Sequence, residues 1–216
     1  MTQTLAREQP SEGSVVTFPQ PKLLHFNRHE NLHSCRDGGA WKIHAGYVRS
    51  LTWNSEGESV PLGFWSKGDI VGNAIPQTHP YQVQCLTAVS VEYLGNNYGY
   101  SQGSVFAQVR QSNDLLRIAY CRQTEQRLLQ FVCWLAGAFG ETTPAGRQLL
   151  IKLTHQEIAE SIGATRVTVT RLLNILERTG KIRWTAHEKI IYKKTFEQSY
   201  ESLCQTASIS GHSGPD

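Results

Sequence analysis

A chain of 216 residues with 39% hydrophobic and 18% charged side chains has room for two compact units, each with its own core. No apolar run approaches bilayer-crossing length, and the opening MTQTLAREQPSEGS lacks the apolar core of a signal peptide, so a cytoplasmic protein without a membrane partner is expected. The net charge of +3 is unevenly spread: residues 140–195 hold ten Lys and Arg against five Asp and Glu, or +5, leaving eleven against thirteen, or −2, elsewhere. A basic C-terminal module is the footprint of a nucleic-acid binder, although that charge alone would also suit a solvated surface.

Residues 1–20, with Pro10, Pro19 and little periodicity, read as a flexible arm. From Leu23 to Leu94 short apolar runs alternate with turn signals at Asp37-Gly38-Gly39, Asn54-Ser55-Glu56-Gly57 and Lys67-Gly68-Asp69. Trp41–Ala45 and Tyr47–Trp53 read as strands about Gly46, and Val60–Trp65 and Tyr81–Leu94 supply more. Short strands at this spacing predict an antiparallel barrel or roll over residues 21–100.

After the Gly95–Gly103 connector, residues 101–140 are predicted as a short helix, Ser104–Arg110, and one long helix, Asp114–Phe139. Leu128, Leu129, Val132, Leu135 and Phe139 share a stripe on the long helix, preceded by Leu115, Leu116 and Ala119. That stripe would serve either as a seam with a second copy or as packing on the chain's own roll. Glu141–Gly146 (ETTPAG) reads as a hinge into a last module over residues 141–204.

Within that module, Thr154 stands three residues before Glu157, the spacing of a capping box. Ile158, Ala159 and Ile162 form an apolar stripe, and Gly163 suits a left-handed turn. Thr165 is the expected N-cap of a second helix whose buried stripe is Val169, Leu172, Leu173 and Leu176. Arg166, Val167, Thr168, Thr170 and Arg171 are left at or beside the outward face. Arginine can donate two bonds to guanine, valine can meet a thymine methyl, and threonine hydroxyls suit phosphate oxygens. A helix-turn-helix outline is weak by itself; here cap, turn glycine, stripe and two arginines coincide. Gly180–Tyr192 follows as a wing hairpin, with Arg183 and Lys189 placed for phosphates, then a short helix over Phe196–Leu203. Residues 205–216, rich in Ser and Gly, read as a disordered tail.

Thr154–Leu173 resembles the DNA-binding domain of the Crp/Fnr family of bacterial transcription regulators, matching T-x-x-E-I-A…G…T-R-x-T-V-x-R-x-L. ATRVTVTRLL is especially similar to the recognition helix of the family's cyanobacterial global nitrogen regulator branch. The resemblance implies that Arg166, Val167 and Arg171 read bases at a GTA-N8-TAC-like palindrome, and that Gln156, Thr165, Thr168 and Thr170 hold phosphates. Gly46-Tyr47-Val48-Arg49 and Gly68-Asp69-Ile70-Val71-Gly72 also look like strand and turn signatures of the family's sensor β-roll. The fold implied is α+β: a β-roll, a long dimerisation helix and a C-terminal winged helix-turn-helix. Leu115, Ala119, Leu128, Val132, Leu135 and Phe139 would line a homodimer interface. Double-stranded DNA, RNA polymerase and an unidentified small effector are the implied partners.

Two departures from the family pattern limit the ligand. Asn73 stands where cyclic-nucleotide-binding members carry a glutamate, and His79–Gln82 offers no arginine for a cyclic phosphate. Neither cAMP nor cGMP is expected. An iron–sulfur cluster is not expected either, because Cys35 alone lies near the N-terminus. The other cysteines (Cys85, Cys121, Cys133, Cys204) are scattered and read as reduced thiols.

The rival signal is His25, His29, His33 and His44, which with Glu30 and Cys35 could ligate a metal in a cupin-like protein or a haem-binding sensor. No nucleophile setting, Walker loop or dinucleotide fingerprint accompanies them. The expectation is a non-enzymatic regulator without metal or cofactor.

Overall fold

A computed structural model describes residues 22–33, 39–96 and 98–204, with side chains to Tyr200. The proposed arm, Cys35 and the proposed tail lie outside these residues. Seven strands come first: β1 (Leu23–Phe26), β2 (Ala40–Ala45), β3 (Val48–Trp53), β4 (Ser59–Trp65), β5 (Ile70–Gly72), β6 (Gln82–Cys85) and β7 (Val89–Gly95). They form two antiparallel sheets, ordered β1-β7-β2-β5 and β4-β3-β6. Period-2 alternation sends Trp41, Ile43, Val48, Trp65, Val71, Val83, Val89 and Val91 into one core between the sheets, with Tyr81 fully buried beside them. The two indoles of this core are satisfied: Trp41 Nε1 donates to His33 O at 2.9 Å and Trp65 Nε1 to Ser50 Oγ at 3.1 Å. Gly46 turns β2 into β3 at φ +88°, and a Cβ there would lie 2.3 Å from Ala88 O, so no larger residue fits.

The helical region corrects the sequence reading. Two helices, α1 (Gln102–Ala119) and α2 (Thr124–Phe139), replace the short and long helices expected. The break falls at Tyr120–Gln123, where Arg127 Nη1 donates to Cys121 O at 3.1 Å and Ala119 O at 3.5 Å, supplying partners for carbonyls that end α1. Leu128, Val132, Leu135 and Phe139 on α2, and Leu115 on α1, are buried in the chain's own core. Packed within their own chain and at most 8% exposed, these five belong to the core where a seam was expected. Ala119 alone among the six expected seam residues is exposed.

α2 is the hub of that core. Phe131 and Trp134 meet Phe64 of β4 at ring-centroid distances of 5.8 and 5.9 Å, and Phe139 meets Tyr47 edge-on at 5.9 Å. Its other sides pack on the C-terminal elements. α1 lies along β4, where the Gln111 side-chain amide bonds both Phe64 N and Phe64 O.

ETTPAG is likewise a paired structure and not a hinge. It spans β8 (Gly140–Thr143) and the turn into β9 (Gly146–Leu149), which join β10 (Ile182–Trp184) and β11 (Lys189–Tyr192) in a sheet ordered β10-β11-β9-β8. Helices α3 (His155–Ile162) and α4 (Arg166–Arg178) lie between β9 and β10. α5 (Lys193–Cys204) ends the described chain and packs on α2. Among the described residues no helix is long and apolar enough to cross a membrane.

Candidate nucleic-acid interface

The α3–α4 unit is built from local signals. Glu157 N–H donates to Thr154 Oγ1 at 3.1 Å and Thr154 N–H to Glu157 Oε2 at 2.6 Å, completing the capping box. Gly163 takes φ +58° and ψ +53°, ending α3 in the left-handed conformation that glycine adopts without a steric penalty. Thr165 then caps α4 by accepting from Thr168 N–H at 3.2 Å. Val169, Leu172, Leu173 and Leu176 are buried, anchoring one face of α4 on α3 and α2.

The opposite face is open. Arg166 and Arg171 are exposed, and Val167, between them in sequence, is 78% exposed. Leaving a β-branched apolar side chain in water costs roughly 1.5–3 kcal/mol relative to full burial. Two arginine forks and a valine methyl on one protruding helix can read base edges in a major groove.

The predicted phosphate-holding residues divide. Gln156 is exposed on α3, its amide donating to Glu160 Oε1 at 3.0 Å. Thr165 and Thr168 stand at the start of α4 with their hydroxyls 2.9 Å apart. Thr170 Oγ1 donates to Arg166 O at 3.0 Å, the usual back-bond of a mid-helix threonine, so its hydrogen is already used. On the wing, Arg183 bonds Glu188 at 3.1 Å, a contact that with Tyr192 raises its pKa. Lys189 Nζ lies 5.6 Å from the Trp184 ring centroid, within cation–π range. Burial and then Lys152 and Arg28 lower the Lys189 pKa, which places three cations around the wing.

Sequence reading missed His155, Arg28 and Arg49. His155 Nδ1 lies 2.8 Å from Thr170 Oγ1, linking α3 to α4. Arg28 follows β1 and donates to Lys152 O at 3.1 Å and Glu157 Oε2 at 3.2 Å. Arg49 of β3 is only 4% exposed; it donates to Gln84 Oε1 and its Nη2 lies 2.8 Å from Glu160 Oε2. These arginines tie the first helix of the reading unit to the N-terminal sheets. An arginine on an alternating strand next to Gly46-Tyr47-Val48 was the available signal; its partner on α3 was not visible.

The rival histidines separate. His25 Nδ1 pairs with Ser90 Oγ at 2.9 Å, His44 Nε2 with Glu92 Oε2 at 2.9 Å, and His29 stands 3.8 Å from Glu157. Among the described residues no three His, Cys, Asp or Glu converge on a metal-sized site. Buried Cys85 and Cys133 have thiols pushed up to about 12 by desolvation, which keeps them protonated and unreactive. Asn73 is buried and structural, accepting Thr78 N–H at 3.0 Å.

Comparison with known proteins converges on one family. Residues 126–195 match the Crp-like helix-turn-helix domain. The chain is 39% identical over 145 residues to the regulatory protein CysR of Synechococcus elongatus, covering 66% of this chain and 70% of that protein. It is 35% identical over 95 residues to the global nitrogen regulator of a Synechocystis species, covering 42% of each. Among solved structures, a CRP-family transcriptional regulator from Thermus thermophilus superposes with TM-score 0.66 at 19% identity, over 82% of this chain and 95% of that one. FixK2 from Bradyrhizobium japonicum gives TM-score 0.68 at 15% identity, over 83% and 97%. A two-sheet roll, a helix-turn-helix with an open arginine face and a relative matched over most of its length leave one assignment: the chain belongs to the Crp/Fnr family of transcription regulators and is related to its cyanobacterial branch.

Proposed function

We propose that the protein acts as a homodimer that binds a pseudo-palindromic DNA site, with Arg166, Val167 and Arg171 of α4 reading base edges. The observation that carries this reading is the open face of α4, where those side chains project from a helix whose other face is closed. In this reading Gln156, Thr165, Thr168, Arg183 and Lys189 approach the backbone phosphates. Thr170 orients its neighbours instead.

The dimer seam is drawn on α1. Phe106, Val109 and Leu116 on the helix and Tyr120 at its C-cap are exposed at spacings that alternate three and four about Asn113, the heptad pattern of a two-stranded seam. A polar residue at a core position of such a seam fixes its register, the role given to Asn113. Two copies of α4 would then enter successive major grooves about 34 Å apart.

The relation to the cyanobacterial branch supports GTA-N8-TAC as the site, and the dimer would act in the cytoplasm on transcription by RNA polymerase, without catalysing a reaction. The interior of the roll is filled by Tyr81, Ile43 and Val83, which favours action on DNA without a resident nucleotide. The test is affinity for a GTA-N8-TAC duplex against a scrambled one, at two salt concentrations without added ligand. Tight, selective binding supports the reading; equal, weak binding to both duplexes overturns ligand-independent reading of this site.

A further inference from the structure

We infer that His155 is a proton-linked phosphate ligand, so that docking on DNA takes up a proton at this residue. The inference rests on the reading of α4 as the DNA-facing helix. His155 opens α3, and its half-buried side chain meets Thr170 of α4 and feels the charges of Arg166 of α4 and Lys189 of the wing. The hydrogen bonds around Thr170 favour one neutral form. With Thr170 Oγ1 donating its one hydrogen to Arg166 O at 3.0 Å, the 2.8 Å contact with His155 takes Nδ1 as the donor. In the neutral ring Nε2 is then a lone pair, and it makes no hydrogen bond among the described residues.

The charged groups acting on the ring from the neighbouring elements are both cations: Arg166 of α4 and Lys189 of β11, the latter with Lys152 and Arg28 close by. On its own helix, the nearby Glu157 carboxylate is occupied by Thr154 and Arg28. Burial, then Arg166, then Lys189 hold the histidine pKa below its ordinary value, so the free protein carries a neutral ring at neutral pH. A backbone phosphate docking beside these cations opposes the influence of Arg166 and Lys189, though not that of burial. It offsets the charges of Arg166 and Lys189, and it presents acceptor oxygens that a lone pair on Nε2 would repel. Protonation turns Nε2 into a donor and resolves the clash.

The sign follows from linkage. The pKa in the DNA complex lies above that in the free protein, so binding takes up a proton between the two values. Affinity is greatest below the free-protein pKa and declines as pH rises through the window, by at most about tenfold per pH unit for each half-site. Above the pKa of the complex the gain is gone.

The experiment is the dissociation constant of the full-length protein for the GTA-N8-TAC duplex from pH 6.0 to 8.5 at fixed salt, for wild type, His155→Gln, His155→Arg and His187→Gln. Expected are tightening of wild type toward low pH, a flat and weak profile for H155Q, a flat and tight one for H155R, and the wild-type slope in H187Q, whose ring lies in the wing turn. A pH slope retained in H155Q, or H155Q and H155R weakened equally at every pH, overturns the assignment and leaves a structural role. Failure of wild type to prefer the specific duplex at any pH is a different result, and sinks the DNA reading itself.

Discussion

Helices α1 and α2 are neighbours in the chain and both are amphipathic, yet they finish their apolar faces differently. α2 buries nine residues among the roll, α3, α4 and α5. α1 buries Leu115 and Ile118 but leaves Phe106, Leu116 and its C-capping Tyr120 at 57, 56 and 81% exposure. A hydrophobic stripe at helical spacing therefore identifies a face that will be covered; it does not say by whose side chains. The distinction separates residues that hold the chain together from residues that remain available to another molecule.

The comparison breaks first at α2. Leu135→Ala should cost about 2–5 kcal/mol of unfolding free energy by leaving a cavity at a fully buried site. Urea denaturation reads this directly, and a loss below 1 kcal/mol would mean that the α2 stripe is not core. On α1, the double substitution Phe106→Ser, Leu116→Ser should leave helix content unchanged, convert dimer to monomer in sedimentation, and weaken DNA binding by about a hundredfold or more through lost avidity. A double variant that still sediments as a dimer would move the seam elsewhere. On the open face of α4, Arg166→Ala should lose about 1–3 kcal/mol of specific binding and relax preference at one base pair per half-site. Equal losses on specific and random duplexes would demote it to a phosphate contact. The smallest effect is expected for Lys189→Ala, which should weaken binding evenly across sequences and reduce the salt slope by about 1 per half-site.

What was legible in the sequence was local. The capping box of Thr154 and Glu157, the left-handed Gly163 and the Val169–Leu176 stripe are each set by residues a few positions apart, and all formed as expected. The alternating strands about Gly46 were legible for the same reason. The break between α1 and α2 was not, because Cys121–Gln123 contains no glycine or proline and the carbonyls at the break are met by Arg127 from inside the next helix. β8 and β9 were hidden too: GETT and GRQL carry no alternation, and β9 is held by pairing with β11 far along the chain. His155 lay unremarked within the motif itself, since its significance depends on Thr170, which joins it only when α3 and α4 pack.

The contacts of Arg28 and Arg49 with α3 carry a last consequence. Arg49, enclosed between Gln84 and Glu160, and Arg28, spanning Lys152 and Glu157, fix how the reading head is tilted against the roll before any DNA arrives. A head held in this way surrenders less rotational freedom on docking. It is preorganised, and affinity gained from that source needs no extra contact with the duplex. Residues remote from the groove would thereby contribute to how tightly DNA is held.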